Sequence, residues 1–280
     1  LRERLPQIYE LAVEYLGVDP AKEPIPVLPA VHYTMGGILA DGKTASGLPG
    51  LYSVGECSSV GIHGANRLGS NSLTELIVFG KVAGLEASAF AKAHGHGKSD
   101  LLHKQAEDVQ RRAQAIITRQ GGTERSSVLR KEMAQSMENG CGIYREAKSM
   151  QATCDTIDTL RQRYKKIRLD DHSKAWNTDW LMAIELGFLL DVAQAMVYSA
   201  INRKESRGSH QRLDGYTERD DVNFLKHSLA TFAGDDAPRI SYGDVKITKS
   251  PPGTRAYGAA GEKADAERKA QQAAQGGSHV

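Results

Sequence analysis

Apolar side chains recur every three to four positions in several stretches of this chain, with glycine- or proline-rich segments between them. Leu5, Ile8, Leu11, Ala12 and Tyr15 share one face of a helix predicted over residues 1–17, which Gly17 ends. The proline-rich segment Pro20 to Pro29 predicts an extended connector, because proline removes backbone donors and restricts the residue before it. From Val31 to about Ala93 short apolar runs alternate with glycine-rich turns, and Leu51-Tyr52-Ser53-Val54 reads as a buried strand. Ser72 and Glu75 have the S-x-x-E form of a capping box. They predict a helix that carries Leu73, Leu76, Ile77, Gly80, Ala83, Gly84 and Ala87 on one stripe.

His94-Gly95-His96-Gly97 predicts a helix stop and linker rather than a metal site, since alternate histidines in a glycine-rich linker lack further ligands nearby. Beyond it Leu102, Ala106, Val109, Ala113 and Ile116 keep helical spacing, as do Ile143, Ala147, Met150, Cys154, Ile157 and Tyr164. With Ser126 to Glu138 and Thr178 to Asn202 these predict a four-helix bundle, in which Cys154 is core rather than a reactive thiol. After Arg203 the chain turns polar; Gly234-Asp235-Asp236 predicts a turn, Arg239 to Thr248 a strand, and Pro251-Pro252 closes it. The last twenty or so residues lack apolar periodicity and predict a mobile tail. The pattern is that of an α+β multidomain chain, in which an α/β portion is followed by a helical bundle and a small mixed domain.

Composition narrows this picture modestly. The 280 residues carry 36 basic and 34 acidic side chains, so a net charge of +2 gives no electrostatic reason to expect nucleic acid. Cys57, Cys141 and Cys154 are an odd, sparse set without metal-ligand spacing, which predicts a reducing compartment and no structural disulfide. The opening Leu-Arg-Glu-Arg lacks a methionine and any signal-peptide pattern, as expected of a fragment. The apolar run Trp180 to Ile201 approaches the length of a membrane span but contains Glu185, Asp191 and Gln194, which predicts a buried bundle helix.

Candidate chemistry lies between His32 and Leu73. Glu56 follows the predicted strand and a glycine, a position from which a carboxylate accepts hydrogen bonds from ligand hydroxyls, although a turn carboxylate fits the spacing as well. Arg67 lies in a glycine-rich loop before a helix start, where a guanidinium grips a substrate carboxylate in two-pronged fashion; a surface arginine is the equal alternative. The backbone donors of Ser72 and Leu73 at that helix start favour negative charge on a neighbouring ring. His32, before Gly36 and Gly37, and His63, between Gly61 and Gly64, are each either ligand-binding or structural. No Ser/His/Asp order, carboxylate pair or metal-ligand cluster offers another mechanism.

The segments HYTMGGI (32–38) and LYSVGECSSVGIHGANRLGSNSL (51–73), with Glu205-Ser206-Arg207-Gly208-Ser209-His210, Arg219-Asp220-Asp221 and Phe224-Leu225-Lys226-His227, closely resemble the succinate dehydrogenase, fumarate reductase and aspartate oxidase flavoprotein family, and in its order. The resemblance covers nearly the whole chain except its tail and implies FAD as cofactor. It implies that His32 and Arg67 bind the carboxylates of fumarate or succinate. It also implies that His32, Tyr33, Glu56, Arg67, Leu68, Gly69, Ser70, Asn71, Ser72 and Leu73 contact the flavin, with Glu56 on its ribityl chain. The domains it implies are the end of a capping domain (1–30), the carboxyl-terminal part of an FAD-binding domain (31–93), a helical bundle (94–205) and a carboxyl-terminal domain with a mobile tail (206–280).

The family's GxGxxG turn, flavin-linked histidine and proton-delivering arginine have no counterpart here, so that arginine is expected upstream of Leu1 and the chain by itself is expected to be inactive. The implied setting is anaerobic respiration. Electrons pass between quinol and the flavin through an iron-sulfur subunit, and membrane-anchor subunits hold the assembly peripherally on the cytoplasmic face of the bacterial inner membrane. The polar block 205–227 is either partner-facing or an internal salt-bridged cluster. The wording of the motifs favours the reductase over the succinate-oxidising branch. L-aspartate oxidase and a non-catalytic helical interaction module are the alternatives.

Overall fold

Asn177 starts the helix around which the bundle is assembled. Its side-chain oxygen accepts from the Trp180 amide at 2.7 Å, and its amide nitrogen donates to the carbonyls of Asp171 and Ser173 at 2.8 and 2.9 Å. This cap fixes the first turn of α6, Thr178–Asn202. The computed structural model describes residues 1–28, 30–248 and 266. Residues Leu1–Gly243 form one compact unit; the chain from Asp244 onward is a second, of which little is described.

α6 is long and apolar enough to cross a membrane, yet it buries Ala183, Leu186, Leu190, Ala193, Gln194, Val197 and Ala200 in the bundle. Against it pack α4 (Ser126–Cys141), through Leu129 and Met133, and α5 (Ala147–Tyr164), through Ile157 and Leu160. Truncating a fully buried leucine such as Leu160 or Leu186 to alanine costs about 2–5 kcal/mol in such a core. A second cluster joins Cys141, Met150, Cys154, Val197 and Ala200. Burial pushes the Cys154 thiol up to about 12 and raises that of Cys141, so neither is a nucleophile at neutral pH. Gly187 lets α5 and α6 approach: a Cβ there would stand 2.7 Å from the Tyr164 hydroxyl, which donates to the Ala183 carbonyl at 3.0 Å.

The fourth expected helix forms, as α3 (Ser99–Ile117), but its predicted stripe is not core. Leu102 and Val109 are more than half exposed, and of its residues Ile117 alone is buried. α3 meets α6 near its carboxyl end, where the Trp180 indole donates to the Ala113 carbonyl at 2.9 Å. The amino-terminal helix runs from Pro6 to Leu11 (α1), widens into a π turn over Ala12–Leu16, and stops at Gly17 with φ +67°. Between α2 (Asn71–His94) and α3, His94 is a helix-end residue: its ring stacks on Phe90 and its Nδ1 lies 2.9 Å from the Phe90 carbonyl oxygen.

The expected strand Leu51–Val54 does not form. Tyr52 makes an isolated antiparallel bridge to Ala45, Leu51 is half exposed, and the ladder lies elsewhere. β1 (Ile38–Leu39) pairs in parallel with β2 (Ser58–Ser59), Ile38 opposite Ser58. The run Leu51–Val54 was the wrong signal because it lies beside the ladder, tied to β2 among the described residues only through the Ser58 hydroxyl, which donates to the Ser53 carbonyl at 2.9 Å. A second parallel pair joins β3 (Tyr144–Arg145) to β4 (Gln211–Arg212). After the short helix α7 (Asp221–Phe224), β5 (Lys226–Thr231) pairs with β6 (Arg239–Asp244) around a turn at Gly234, φ +69°. The hairpin matches expectation except that β6 ends at Asp244 rather than 248; Pro251-Pro252 and the tail lie outside the described residues.

Candidate active site

Two glycines open the site. Gly36 and Gly37 have φ of +100° and +129°, and a Cβ on Gly37 would collide with the Cys57 carbonyl. That close approach lets the Ile38 amide donate to the same carbonyl at 2.8 Å. Glu56 sits in the turn before β2 rather than after a buried strand; its Oε1 accepts from the Thr34 amide at 3.0 Å. It therefore ties the His32–Thr34 strip to the turn, and the other oxygen of its exposed carboxylate has no hydrogen-bond partner among the described residues. His32 is exposed, and its side chain makes no hydrogen bond or ion pair among the described residues.

Glu75 is not the closing residue of a capping box. The helix begins at Asn71, its cap Ser70 has φ +64° and no side-chain capping bond, and Glu75 points inward, 3% exposed. One oxygen, Oε2, lies 2.5 Å from His63 Nε2 and 3.2 Å from the Tyr33 hydroxyl. With Glu75 ionised that oxygen only accepts, which places a proton on His63 Nε2. Burial, reinforced by the Glu75 charge, raises the Tyr33 phenol, so it donates at neutral pH. The two rings meet edge to face, 5.6 Å apart at 88°. Helical periodicity does not flag Glu75, which follows Thr74 and lies off the stripe of Leu73, Leu76 and Ile77.

Arg67 lies over this group. Its guanidinium carbon is 4.4 Å from the Tyr33 ring centroid, Nη1 donates to the Leu68 carbonyl at 3.0 Å, and buried Nε has no partner among the described residues. The cation is held by a ring face and one carbonyl instead of a carboxylate, so its charge is left for a ligand. Leu68, Gly69, Ser70 and Asn71 carry the loop into α2; the Asn71 amide donates to the Leu68 carbonyl at 3.2 Å, and the Thr74 amide to the Ser70 carbonyl at 3.4 Å. The amides of Ser72 and Leu73 have no partner among the described residues. Tyr33, Glu56, Arg67 and this helix start are thus gathered together, while His32 stands apart from their contacts.

Support for the loop comes from far along the sequence. The Ser209 amide and hydroxyl both donate to the Ala65 carbonyl, at 3.0 and 2.9 Å, and Gly208, φ +57°, packs so closely that a Cβ would lie 2.5 Å from that oxygen. This turn grows from an internal ion-pair network, so the intradomain reading of the block describes its centre. Glu205 is fully buried and bonded to Arg203 at 2.5 Å, to Arg207 at 2.9 and 3.0 Å and to the Asp220 amide at 2.9 Å. Burial would raise its carboxyl, but hydrogen bonds from Arg207, the Asp220 amide and Arg203 hold it below the usual range. Asp221 bridges Arg207 and Arg219 at 2.6 and 2.9 Å.

Comparison with known proteins relates two stretches of the chain to known families. Residues 1–73 match the family model of an FAD binding domain, and residues 130–257 that of the fumarate reductase flavoprotein C-term. The chain is 56% identical over 272 residues to the fumarate reductase flavoprotein subunit of Serratia sp. (strain ATCC 39006), covering 96% of this chain and 45% of the relative. With the Escherichia coli (strain K12) fumarate reductase flavoprotein subunit identity is 53% over 277 residues, 98% of this chain and 46% of the relative. A Rickettsia conorii succinate dehydrogenase flavoprotein subunit is 38% identical over 276 residues, 92% of this chain and 46% of the relative. The FrdA chain of E. coli quinol fumarate reductase superposes with a TM-score of 0.86 at 54% identity, covering 91% of this chain and 43% of that one. The chain thus spans under half the length of the relatives it matches. It belongs to the fumarate reductase and succinate dehydrogenase family of FAD-binding flavoproteins.

Proposed function

We propose that these residues form the substrate- and flavin-facing part of a flavoprotein subunit that interconverts fumarate and succinate. The observation that carries this reading is the Arg67 guanidinium, laid on Tyr33 with a buried, unpartnered Nε beside an open helix start. The residues present fit FAD. Gly36 and Gly37 offer bare backbone, Glu56 a free carboxylate oxygen for a ribityl hydroxyl, and the Ser72 and Leu73 amides two donors for an electron-rich ring. FAD, when bound, supplies hydride exchange with the substrate's C2–C3 bond.

The chain's own residues then bind and polarise. Arg67 pairs with one carboxylate of the dicarboxylate and exposed His32 donates to the other; holding both ends draws electron density from the alkene. Leu68 and Leu73, exposed beside Arg67, offer apolar surface for a bound flavin to cover. The proton for the second alkene carbon comes from an arginine outside these residues. Higher identity to fumarate reductase subunits than to the succinate dehydrogenase subunit supports the reductase branch. One superposing structure is a quinol-fumarate reductase with menaquinol molecules, at a TM-score of 0.84. This supports a quinol as the electron source; the proposal adds an iron-sulfur subunit as carrier and membrane-anchor subunits that hold the flavoprotein peripherally on the cytoplasmic face of the inner membrane.

The test is the reaction of the whole flavoprotein carrying these residues, purified with its flavin. It is expected to oxidise a reduced viologen with fumarate and to leave L-aspartate untouched. Failure on fumarate with the flavin intact, or oxidation of aspartate, would overturn the reading.

A further inference from the structure

We infer that Glu75 is a positioning residue for the anion clamp: together with His63 it fixes Tyr33, and through the Tyr33 ring it sets where the Arg67 guanidinium stands. The inference rests on the reading of Arg67 as a carboxylate partner. Glu75 is the one charged residue of α2 that is buried, and its partners come from two other segments, Tyr33 from the strip before β1 and His63 from the glycine-rich loop. Both bonds end on a single oxygen, so carboxylate, imidazole and phenol form one unit in which none moves alone.

The guanidinium has no second anchor of comparable strength. Arg67 makes no ion pair among the described residues; its position follows from one bond to its neighbour's carbonyl and from the Tyr33 face 4.4 Å away. A ring free to swing about its Cα–Cβ bond would carry that face away. Glu75 prevents this by holding the far end of the ring, the hydroxyl. A purely structural ion pair would hold α2 to the loop and leave the ring and the guanidinium indifferent to loss of the Tyr33 hydroxyl.

The test uses the whole flavoprotein with FAD bound, and titrates succinate and malonate through the perturbation of the flavin spectrum. Flavin content is measured in every variant. Glu75→Ala and Tyr33→Phe are each expected to weaken dicarboxylate binding about tenfold, and the double variant no more than either alone, because both cut the same chain of contacts. Glu75→Gln, which keeps an acceptor oxygen in place, is expected to restore most of the affinity. In steady state the loss is expected in KM more than in kcat.

Unchanged affinity in Tyr33→Phe, or additive losses in the double variant, would overturn the inference while Arg67→Ala still abolishes binding. Should Glu75→Ala shed its flavin, Tyr33→Phe decides alone. If Arg67→Ala binds dicarboxylates normally, the functional reading itself falls, and the inference with it.

Discussion

His210 is wedged between cationic neighbours with only 7% of its surface exposed. Its Nε2 donates to the Arg203 carbonyl at 3.1 Å, so its Nδ1 carries the lone pair that accepts from Arg145 Nη1 at 2.9 Å. Burial first, and then the charges of Arg145, Arg212 and Arg203, lower its pKa from 6.5 to about 4. The folded chain thus disfavours the imidazolium that the unfolded chain forms readily. The stabilisation is complete above pH 6.5 and is lost as pH falls from there towards 4, a total of about 3 kcal/mol. Denaturation midpoints of the chain are expected to drop over that window, and His210→Gln to flatten the drop. Asp214, held down to about 2 chiefly by its hydrogen bonds from Arg212, is the opposite charge type; its contribution disappears only in stronger acid, below 3.8. A midpoint as flat in the wild-type chain as in His210→Gln would count against this account.

Single elements show what local pattern conveys and what it omits. The span of α6 was legible in sequence because a long apolar run, broken only by Glu185, Asp191 and Gln194, gives way to a polar stretch after Arg203; the Asn177 cap is visible only in the structure. Glu75 was misread because S-x-x-E is a local signal, and here a carboxylate is claimed by partners 42 and 12 residues away. The Leu51–Val54 strand failed for the same reason, since its neighbours in the fold give it one bridge and no ladder. Nor does any spacing rule announce that the Gly208–Ser209 turn supports the Arg67 loop across 144 residues. Gly208→Ala should force that turn off the Ala65 carbonyl and destabilise the chain by about 1–3 kcal/mol. Ser209→Ala removes one of two donors and should cost about 1 kcal/mol. Thermal melting of the two variants checks the order; equal, negligible shifts would show that the turn supports nothing.

At the scale of the molecule, α4, α5 and α6 share a packed core, whereas the apolar surface around the candidate site is open. Leu73, Leu76 and Ile77 of α2 and Leu68 before it are about half to three-quarters exposed beside Arg67. Surface of this kind seeks cover. The 280 residues by themselves are therefore expected to purify without stoichiometric FAD and without fumarate-dependent oxidation of a reduced dye, a result read directly from the visible spectrum; bound flavin at one per chain would refute it.

The central claim is that the cation of the glycine-rich loop is the substrate's partner. It is tested most directly by titrating succinate into the whole flavoprotein and its Arg67→Ala variant at matched flavin content. Loss of a charge-assisted, two-pronged contact predicts binding weakened by about 10²-fold or more with flavin retained. Equal affinity in the two proteins would contradict the account.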